Sequence, residues 1–401
     1  MINFTCRRSP MAIHSHFLSL HGLRLSLAGL ALAVVATSAH TQTASAPLTL
    51  NIVDVGGAFN LLQTAIESYS LQNPNVKFNF KKATAVELPK TLAAATPANP
   101  GDIDMVLGGT DILAAGIDQG FWINVLPEHA GRFPGLMDRY LPEARRMQAL
   151  ANNQALAVVF ALGGPFLEYN PAKVKVVPQT PQELLAWCKA NPGRFTYARP
   201  ANSGPGRTFL MGLPYLLGDK DPKDPAYGWA KTWTYLKALN TCIDGYPGTT
   251  GALMKEFGAG GRDMTVTTTG WDINPRALGT VPKDYKIGAF KNMTWINDTQ
   301  YMMVPKGVAG QRLNVVLDLM VHLLKREQQA LTYDTGYFYP GPAIKNVPYS
   351  LAPQASQKVL RDFGRVEYVM WSLNQPHTQP LPAERMTMAF KIWDDEVANS
   401  R

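Results

Sequence analysis

Apolar strands alternate with amphipathic helices in the first part of the chain. Leu48–Val55 (LTLNIVDV) is a mainly apolar run typical of a buried strand, and Phe59–Gln72 has the 3.6-residue period of a helix. Val76–Lys82 alternates as a second strand, and Asp104–Gly108 is a third. With glycines at the strand ends, this order predicts an α/β fold with an open parallel sheet and helices on both faces. Ligands bind such sheets outside the carboxyl ends of the strands.

A second α/β unit follows the apolar run Ala155–Leu162 (ALAVVFAL), which ends in Gly-Gly-Pro. The same patterns extend to the end of the chain without an internal repeat. The further predicted elements are extended segments at Phe166–Asn170, Met264–Thr269 and Thr294–Pro305, an aromatic loop at Tyr337–Pro342, and helices at Pro181–Asn191, Arg207–Leu217, Tyr227–Asn240, Gln311–Lys325, Ala355–Trp371 and Ala383–Val397.

Composition narrows the class of protein. The chain has 401 residues, 46% of them hydrophobic and 17% charged, which suits roughly two to three packed domains and excludes a disordered chain. Three cysteines are too few for a disulfide scaffold. The formal charge is +8, but three arginines lie in a segment that we expect to be removed, leaving 35 Lys and Arg against 30 Asp and Glu. So small a surplus predicts no nucleic-acid partner.

The N-terminus has the order of an export signal. Three arginines precede the 12-residue apolar run Leu25–Ala36, and small residues follow it. The run is shorter than the about 20 residues that span a bilayer as a helix. We predict a signal peptide over residues 1–39, cut after Ala39 or alternatively after Ala46. Its long basic part leaves Met1 and Met11 as alternative starts.

If the protein is exported, its cysteines bear on two questions: whether a lipid anchor is attached and whether a disulfide forms. Cys6 precedes the apolar run and no cysteine directly follows it, so the sequence predicts a periplasmic protein without a lipid anchor. An oxidising compartment permits Cys188 and Cys242 to form a disulfide. The alternative is a pair of buried free thiols.

Several segments, in their order and spacing, resemble the periplasmic solute-binding proteins of ABC importers. Phe166–Val174 (FLEYNPAKV) is similar to the segment that follows the first crossing between domains in that family. Thr180–Pro200 is similar to its helix-then-strand element, and Trp295–Val308 (WINDTQYMMVPKGV) to its second crossing. The stretch NPGRFTY and the Ser/Gly loop after it are closest to an uncharacterised subfamily, which resembles the polyamine, thiamine and ferric-iron binding group.

The resemblance implies two α/β lobes of the type II periplasmic-binding class, two hinge crossings and a ligand cleft between the lobes. Lobe 1 would comprise residues 47–158 and 297–342, and lobe 2 residues 159–296 and 343–401. The implied function is to capture a small-molecule ligand by hinge closure and deliver it to an ABC permease/ATPase complex at the inner membrane. We expect a monomer that is not an enzyme and needs no cofactor or metal.

The candidate ligand-binding residues lie at strand ends, at helix starts or in the aromatic loop. Helix-start N–H groups beside Arg207 suit an anion, whereas an aromatic wall at Trp271 with Asp272 suits an organic cation. Each group also fits an ordinary turn, helix cap or packing role. The candidates are Gly57, Phe59, Thr110, Asp111, Ser203, Gly204, Arg207, Trp271, Asp272, Tyr337 and Tyr339.

The ligand class stays open at this stage. Ferric-iron binders of this group use adjacent tyrosines, and the chain has no Tyr-Tyr pair. Polyamines would need several carboxylates, which Asp111, Asp272 and Asp298 would supply if they converge. An anion would favour Ser203 and Arg207. The mixture of aromatic and polar candidates favours a small organic solute.

Two other classes compete with a transport protein. A secreted hydrolase needs a nucleophile with a base or a metal site, yet the histidines are scattered and G-x-S-x-G, S-x-x-K and HExxH motifs are absent. His322 lies on an apolar helix, which favours a packing role. A periplasmic sensory protein on the same fold is an alternative that the sequence does not separate from a transport component.

Overall fold

The computed structural model describes residues 47–94 and 102–399, which form two β-sheets flanked by helices. The predicted signal peptide, its two cleavage positions and Cys6 lie outside the described residues. Within 47–94 and 102–399, no helix combines the length and the apolar character needed to cross a membrane.

The strands and helices are numbered in chain order. The strands are β1 (Leu48–Val55), β2 (Val76–Ala83), β3 (Met105–Gly108), β4 (Ala155–Gly164), β5 (Phe166–Tyr169), β6 (Phe195–Thr196), β7 (Met264–Thr267), β8 (Lys286–Gly288), β9 (Trp295–Met303), β10 (Pro340–Pro342) and β11 (His377–Thr378). The helices are α1 (Ala58–Gln72), α2 (Leu88–Ala93), α3 (Thr110–Asp118), α4 (Val125–Glu128), α5 (Leu136–Arg139), α6 (Pro142–Ala149), α7 (Pro181–Ala190), α8 (Gly204–Leu217), α9 (Ala230–Asn240), α10 (Thr250–Gly258), α11 (Thr269–Ala277), α12 (Gly310–Leu323), α13 (Arg326–Leu331), α14 (Gln354–Phe363), α15 (Val366–Asn374) and α16 (Ala383–Trp393).

The first sheet has the strand order β10-β4-β9-β3-β1-β2, with β11 beside β9. β1 is parallel to β2 and β3, as the sequence predicts, but β9 is antiparallel to both β3 and β4. The predicted parallel arrangement is therefore confirmed for β1, β2 and β3, whereas β4 pairs antiparallel with both β9 and β10. The strand β9 enters this sheet from the second sheet rather than through a helical crossover, and its direction is reversed.

The second sheet has the order β6-β7-β5-β8, and β5 is antiparallel to both of its neighbours. Pro165 joins β4 of the first sheet to β5 of the second. The strand β9 also spans both parts, because Trp295 and Ile296 pack in the second hydrophobic core while Tyr301 and Met302 pack in the first. The two sheets are thus connected through β4 and β9.

A disulfide joins Cys188 on α7 to Cys242, which follows α9. The two residues are 54 positions apart in the chain, and cross-linking a loop of that length stabilises the folded state by about 4 kcal/mol in the chain-entropy account. Both cysteines are buried in the second core, beside Leu184 and Leu239.

Two predicted elements are wrong in detail. The helix expected over Ala355–Trp371 is two helices, because the chain turns at Gly364 and directs Arg365 toward a buried carboxylate. The strand expected over Met264–Thr269 ends at Thr267. Trp271 and Asp272 therefore lie in the first turn of α11 rather than in a strand-end loop.

Candidate functional site

A cavity of about 390 Å³ lies beside the carboxyl ends of β1, β2 and β3 in the first sheet. On its other side are the starts of helices that pack with the second sheet. From the first sheet it is lined by Gly57 after β1, by Lys82 at the end of β2, and by Asp298 and Gln300 on β9. From the second side it is lined by residues at the starts of α8, α10 and α11. The volume falls within the usual range of small-molecule sites.

Helix starts surround this cavity because each follows a strand or loop that ends there. Ser203 caps α8, its Oγ accepting a hydrogen bond from the Gly206 N–H at 3.0 Å. Thr249 caps α10 in the same way through the Ala252 N–H. The Thr250 Oγ1 donates to the Ser203 Oγ at 2.8 Å, so the two helix starts are held side by side.

Arg207 is the central charge of the cavity. It projects from α8, is 3% exposed, and donates from Nη2 to both carboxylate oxygens of Asp298 at 2.8 and 2.9 Å. Its Nη1 lies 3.4 Å from Asp111 Oδ2. Burial raises the pKa of Asp298 above its ordinary value, an effect that the Arg207 charge opposes. This group of three, which we call the Arg207 cluster, links α8 to β9 and α3 across the cavity.

An aromatic wall closes one side. The Trp271 and Tyr337 rings meet edge to face, with centroids 5.1 Å apart. The Tyr337 hydroxyl donates to the Gly56 carbonyl at 2.9 Å. Glycine is required at two contacts with this wall: a Cβ on Gly57 would lie 2.7 Å from the Tyr337 hydroxyl oxygen, and one on Gly270 would lie 1.8 Å from the Tyr337 carbonyl oxygen.

Six of the predicted residues line the cavity, and five do not. The lining residues are Gly57, Asp111, Gly204, Arg207, Trp271 and Tyr337. Phe59 lies outside because its ring packs on Phe80, with centroids 3.9 Å apart. Ser203 is used as the helix cap.

The other three predicted residues do not line the cavity. Thr110 is buried at the start of α3. The Tyr339 ring packs on Tyr368, and its carbonyl accepts hydrogen bonds from the Thr269 hydroxyl and the Leu162 N–H. Asp272 is fully buried and bonded to two arginines, so the expectation that it faces an organic cation is wrong.

Sequence reasoning missed several lining residues. The sequence offers Asp298 as a carboxylate for a polyamine but places it on the second crossing, outside the list of candidates, whereas in the structure Asp298 and Gln300 of β9 both line the cavity. Lys82 carries a signal that could have identified it, because it ends a strand parallel to β1. Thr249–Gly251 lies in a Gly/Thr-rich segment for which no element was predicted, so nothing in the sequence placed it here.

Outside the cavity, the structure favours a packing role for His322. His322 is buried on α12 and hydrogen-bonds to the Ser68 hydroxyl at 2.9 Å. Burial lowers its pKa. Among residues 47–94 and 102–399, no cluster of three or more His, Cys, Asp or Glu side chains is arranged to hold a metal ion.

Comparisons with known proteins agree with this architecture. A sequence profile described as bacterial extracellular solute-binding protein matches residues 64–360. No match was found among curated proteins.

Solved structures with similar folds have low sequence identity. The maltose/maltodextrin-binding domain MalE from Bdellovibrio bacteriovorus, bound to maltotriose, has a TM-score of 0.65 at 14% identity, covering 88% of this chain and 95% of that chain. The periplasmic binding protein AfuA from Actinobacillus pleuropneumoniae, with fructose-6-phosphate bound, gives 0.61 at 15%, covering 88% and 99%. The apo ferric ion-binding protein A of Pasteurella haemolytica gives 0.59 at 12%, covering 88% and 99%. These similarities show the fold alone, the two-lobed α/β fold of periplasmic binding proteins.

Proposed function

The chain belongs to the family of bacterial extracellular solute-binding proteins, and from this premise we propose that it is the substrate-binding component of an ABC importer. It captures a small solute in the cavity around Arg207 and delivers it to a membrane permease. The observation that carries the proposal is that residues from both sheets line one cavity, with Arg207 from one side bonded to Asp298 on the other.

The proposal assigns each sheet to one lobe. Val159 and Phe160 pack in the first core, as do Ala343 and Ile344. We therefore place the first crossing at residues 163–165, later than residue 158, and extend the second part of lobe 1 past residue 342 to Val347. The connecting strands β4 and β9 would then act as the hinge.

A hinge between two lobes lets binding drive closure, because only the closed form makes both sets of ligand contacts. Micromolar binding provides about 8 kcal/mol. Shifting an open-to-closed ratio from 99:1 to 1:99 needs about 5.5 kcal/mol of differential affinity. A ligand of ordinary affinity is therefore sufficient to close the cleft.

The same proposal places the protein in the periplasm as a monomer without a lipid anchor, exported by the signal peptide predicted over residues 1–39. Its partner would be the permease and ATPase complex of the inner membrane. The proposal includes no chemical conversion of the solute.

Ligand-driven compaction tests the function. A thermal-shift screen against polyamines, thiamine, amino acids, sulfur oxyanions and metal chelates identifies a solute, since a ligand that binds only the folded form raises its stability. We expect small-angle scattering to give a smaller radius of gyration when that solute is saturating. An unchanged radius at saturation would contradict closure around the ligand.

Trp271→Ala is expected to weaken binding of that solute at least about tenfold, equivalent to about 1.4 kcal/mol, because Trp271 forms half of the aromatic wall. The unliganded protein should melt at nearly the same temperature, since the side chain is only partly buried. Trp187, another partly buried tryptophan on α7 outside the cavity, is the matched control. Wild-type affinity in Trp271→Ala, measured by calorimetry, would remove this residue from the site.

A further inference from the structure

Backbone N–H groups without partners belong to residues that line the cavity at two helix starts. Gly204 begins α8, while Thr250 and Gly251 begin α10, and all three line the cavity. The N–H groups of these residues donate to no acceptor within the described part of the chain. Neither helix has an acidic residue in its first turn. The positive ends of both helix dipoles are therefore available to a negatively charged group.

Buried polar side chains at the same cavity also lack partners. Gln300 lines the cavity, is 3% exposed, and its Oε1 has no hydrogen-bond partner among the described residues. The Nε of Arg207 is likewise buried without an acceptor. Buried polar atoms are nearly always satisfied, so the protein leaves one acceptor, Gln300 Oε1, and one donor, Arg207 Nε, for a hydrogen bond to a bound polar molecule.

The charges at the cavity argue against a cationic ligand. Asp298 and Asp111 both pair with Arg207, and Asp272, the third carboxylate that a polyamine would need, is enclosed elsewhere. Lys82 is exposed at the cavity edge and forms no ion pair within residues 47–94 and 102–399. Arg207 and Lys82 carry two positive charges against the two negative charges of Asp111 and Asp298, so the charged side chains that line the cavity sum to zero, and the partnerless N–H groups of the two helix starts add a positive potential on their side.

We propose that the solute is a small organic molecule that ends in an oxyanion, a phosphate or a carboxylate, seated on the starts of α8 and α10 and facing Lys82. A hydroxyl or amino group of the same solute donates to Gln300 Oε1. The cavity of about 390 Å³ has room for an organic body beyond the oxyanion, and this body contacts Trp271 and Tyr337. The inference rests on the proposed function and specifies its substrate class.

The test compares matched pairs of solutes by calorimetry on the purified protein. The pairs are glucose 6-phosphate with glucose, glycerol 3-phosphate with glycerol, and glycerate with glycerol; inorganic phosphate and spermidine are tested alone. We expect binding by members with the additional oxyanion and at least tenfold weaker binding by their partners. The phosphate and carboxylate arms distinguish the two oxyanion chemistries.

Lys82→Met tests the predicted contact between the oxyanion and the lysine at the cavity. We expect about a fivefold loss of affinity at low ionic strength, and a smaller loss in high salt because salt screens exposed charges. Lys81→Met is the matched variant, since neighbouring residues of β2 point to opposite faces of the sheet and Lys81 does not line the cavity. Lys81→Met should bind as the wild type does.

The outcomes separate this inference from the function on which it rests. Suppose that spermidine or the uncharged solutes bind, and that Lys82→Met binds them with the same affinity as the wild type. The oxyanion assignment would then be wrong, while the proposed solute-binding function would stand. Failure of all three charge classes to bind, with no change in the scattering radius, would count against the proposed function as well.

Discussion

Replacing Arg207 with methionine should destabilise the unliganded protein by about 3–5 kcal/mol, because it leaves two carboxylates at the cavity without their cation. Asp298 would suffer most, since it is 3% exposed and accepts both hydrogen bonds from Nη2. Methionine retains most of the side-chain volume, so the loss reports on charge rather than on a cavity. Urea denaturation followed by circular dichroism measures the change.

Arg132→Met provides the comparison for this variant. Arg132 pairs with Asp318 on the surface, where both side chains are at least one-third exposed, and an exposed pair contributes at most about 1 kcal/mol. Adding Asp111→Asn and Asp298→Asn to Arg207→Met should recover most of the stability, since no unpaired charge then remains. Equal losses in Arg207→Met and Arg132→Met would show that the Arg207 cluster does not stabilise the fold.

The loss should also depend on pH. Burial raises the pKa of Asp298 in the folded protein, and removing Arg207 raises it further. A carboxyl whose folded pKa is above its unfolded pKa stabilises the folded state at low pH, and this stability is lost as the pH rises through the folded pKa. Arg207→Met should therefore lose less stability near pH 4 than near pH 7.

Much of the fold could be predicted from the sequence because local patterns specify it. β1, α1 and β2 lie where hydrophobic periodicity places them, within one residue at each end. The antiparallel direction of β9 could not be predicted in this way, because the direction of a strand depends on where the chain enters the sheet. The preceding strand, β8, lies in the second sheet. The break at Gly364 escaped for a similar reason: Arg365 leaves the helical path to pair with Asp272, which is 93 residues distant in the chain.

The residues of the candidate site were predictable only where the local sequence pattern indicates the end of a strand or the start of a helix. Gly57, Asp111, Gly204 and Arg207 lie at such positions and line the cavity. Asp272 also lies at such a position but is directed inward, because the first turn of a helix points successive side chains in different directions: Trp271 faces the cavity and Asp272 faces the second core. The positions of Arg276 and Arg365 determine that Asp272, and not Trp271, faces the second core.

Those partners enclose the Asp272 carboxylate at the start of α11. It is fully buried and accepts hydrogen bonds from Arg276 at 2.8 and 3.0 Å and from Arg365 at the same two distances. The Tyr368 hydroxyl donates to it as well. The Glu168 carboxyl, also fully buried on the adjacent strand β5, has no hydrogen-bond partner among the described residues for either oxygen. Burial, reinforced by the charge of Asp272, raises the pKa of Glu168 well above its ordinary value.

Asp272→Asn should therefore destabilise the protein by about 3–5 kcal/mol, because the buried Arg276 and the partly buried Arg365 lose the anion they share. Glu168→Gln, a substitution of the same size in the same cluster, should change stability by less than about 1 kcal/mol near neutral pH, since glutamine resembles the protonated carboxyl. Urea denaturation at pH 5, 7 and 9 measures both. The raised pKa of Glu168 means that wild-type stability includes a contribution that is complete at low pH and is lost as the pH rises through the folded pKa. Glu168→Gln should remove that dependence. A Glu168→Gln loss as large as that of Asp272→Asn would instead assign Glu168 a negative charge that the arginines require.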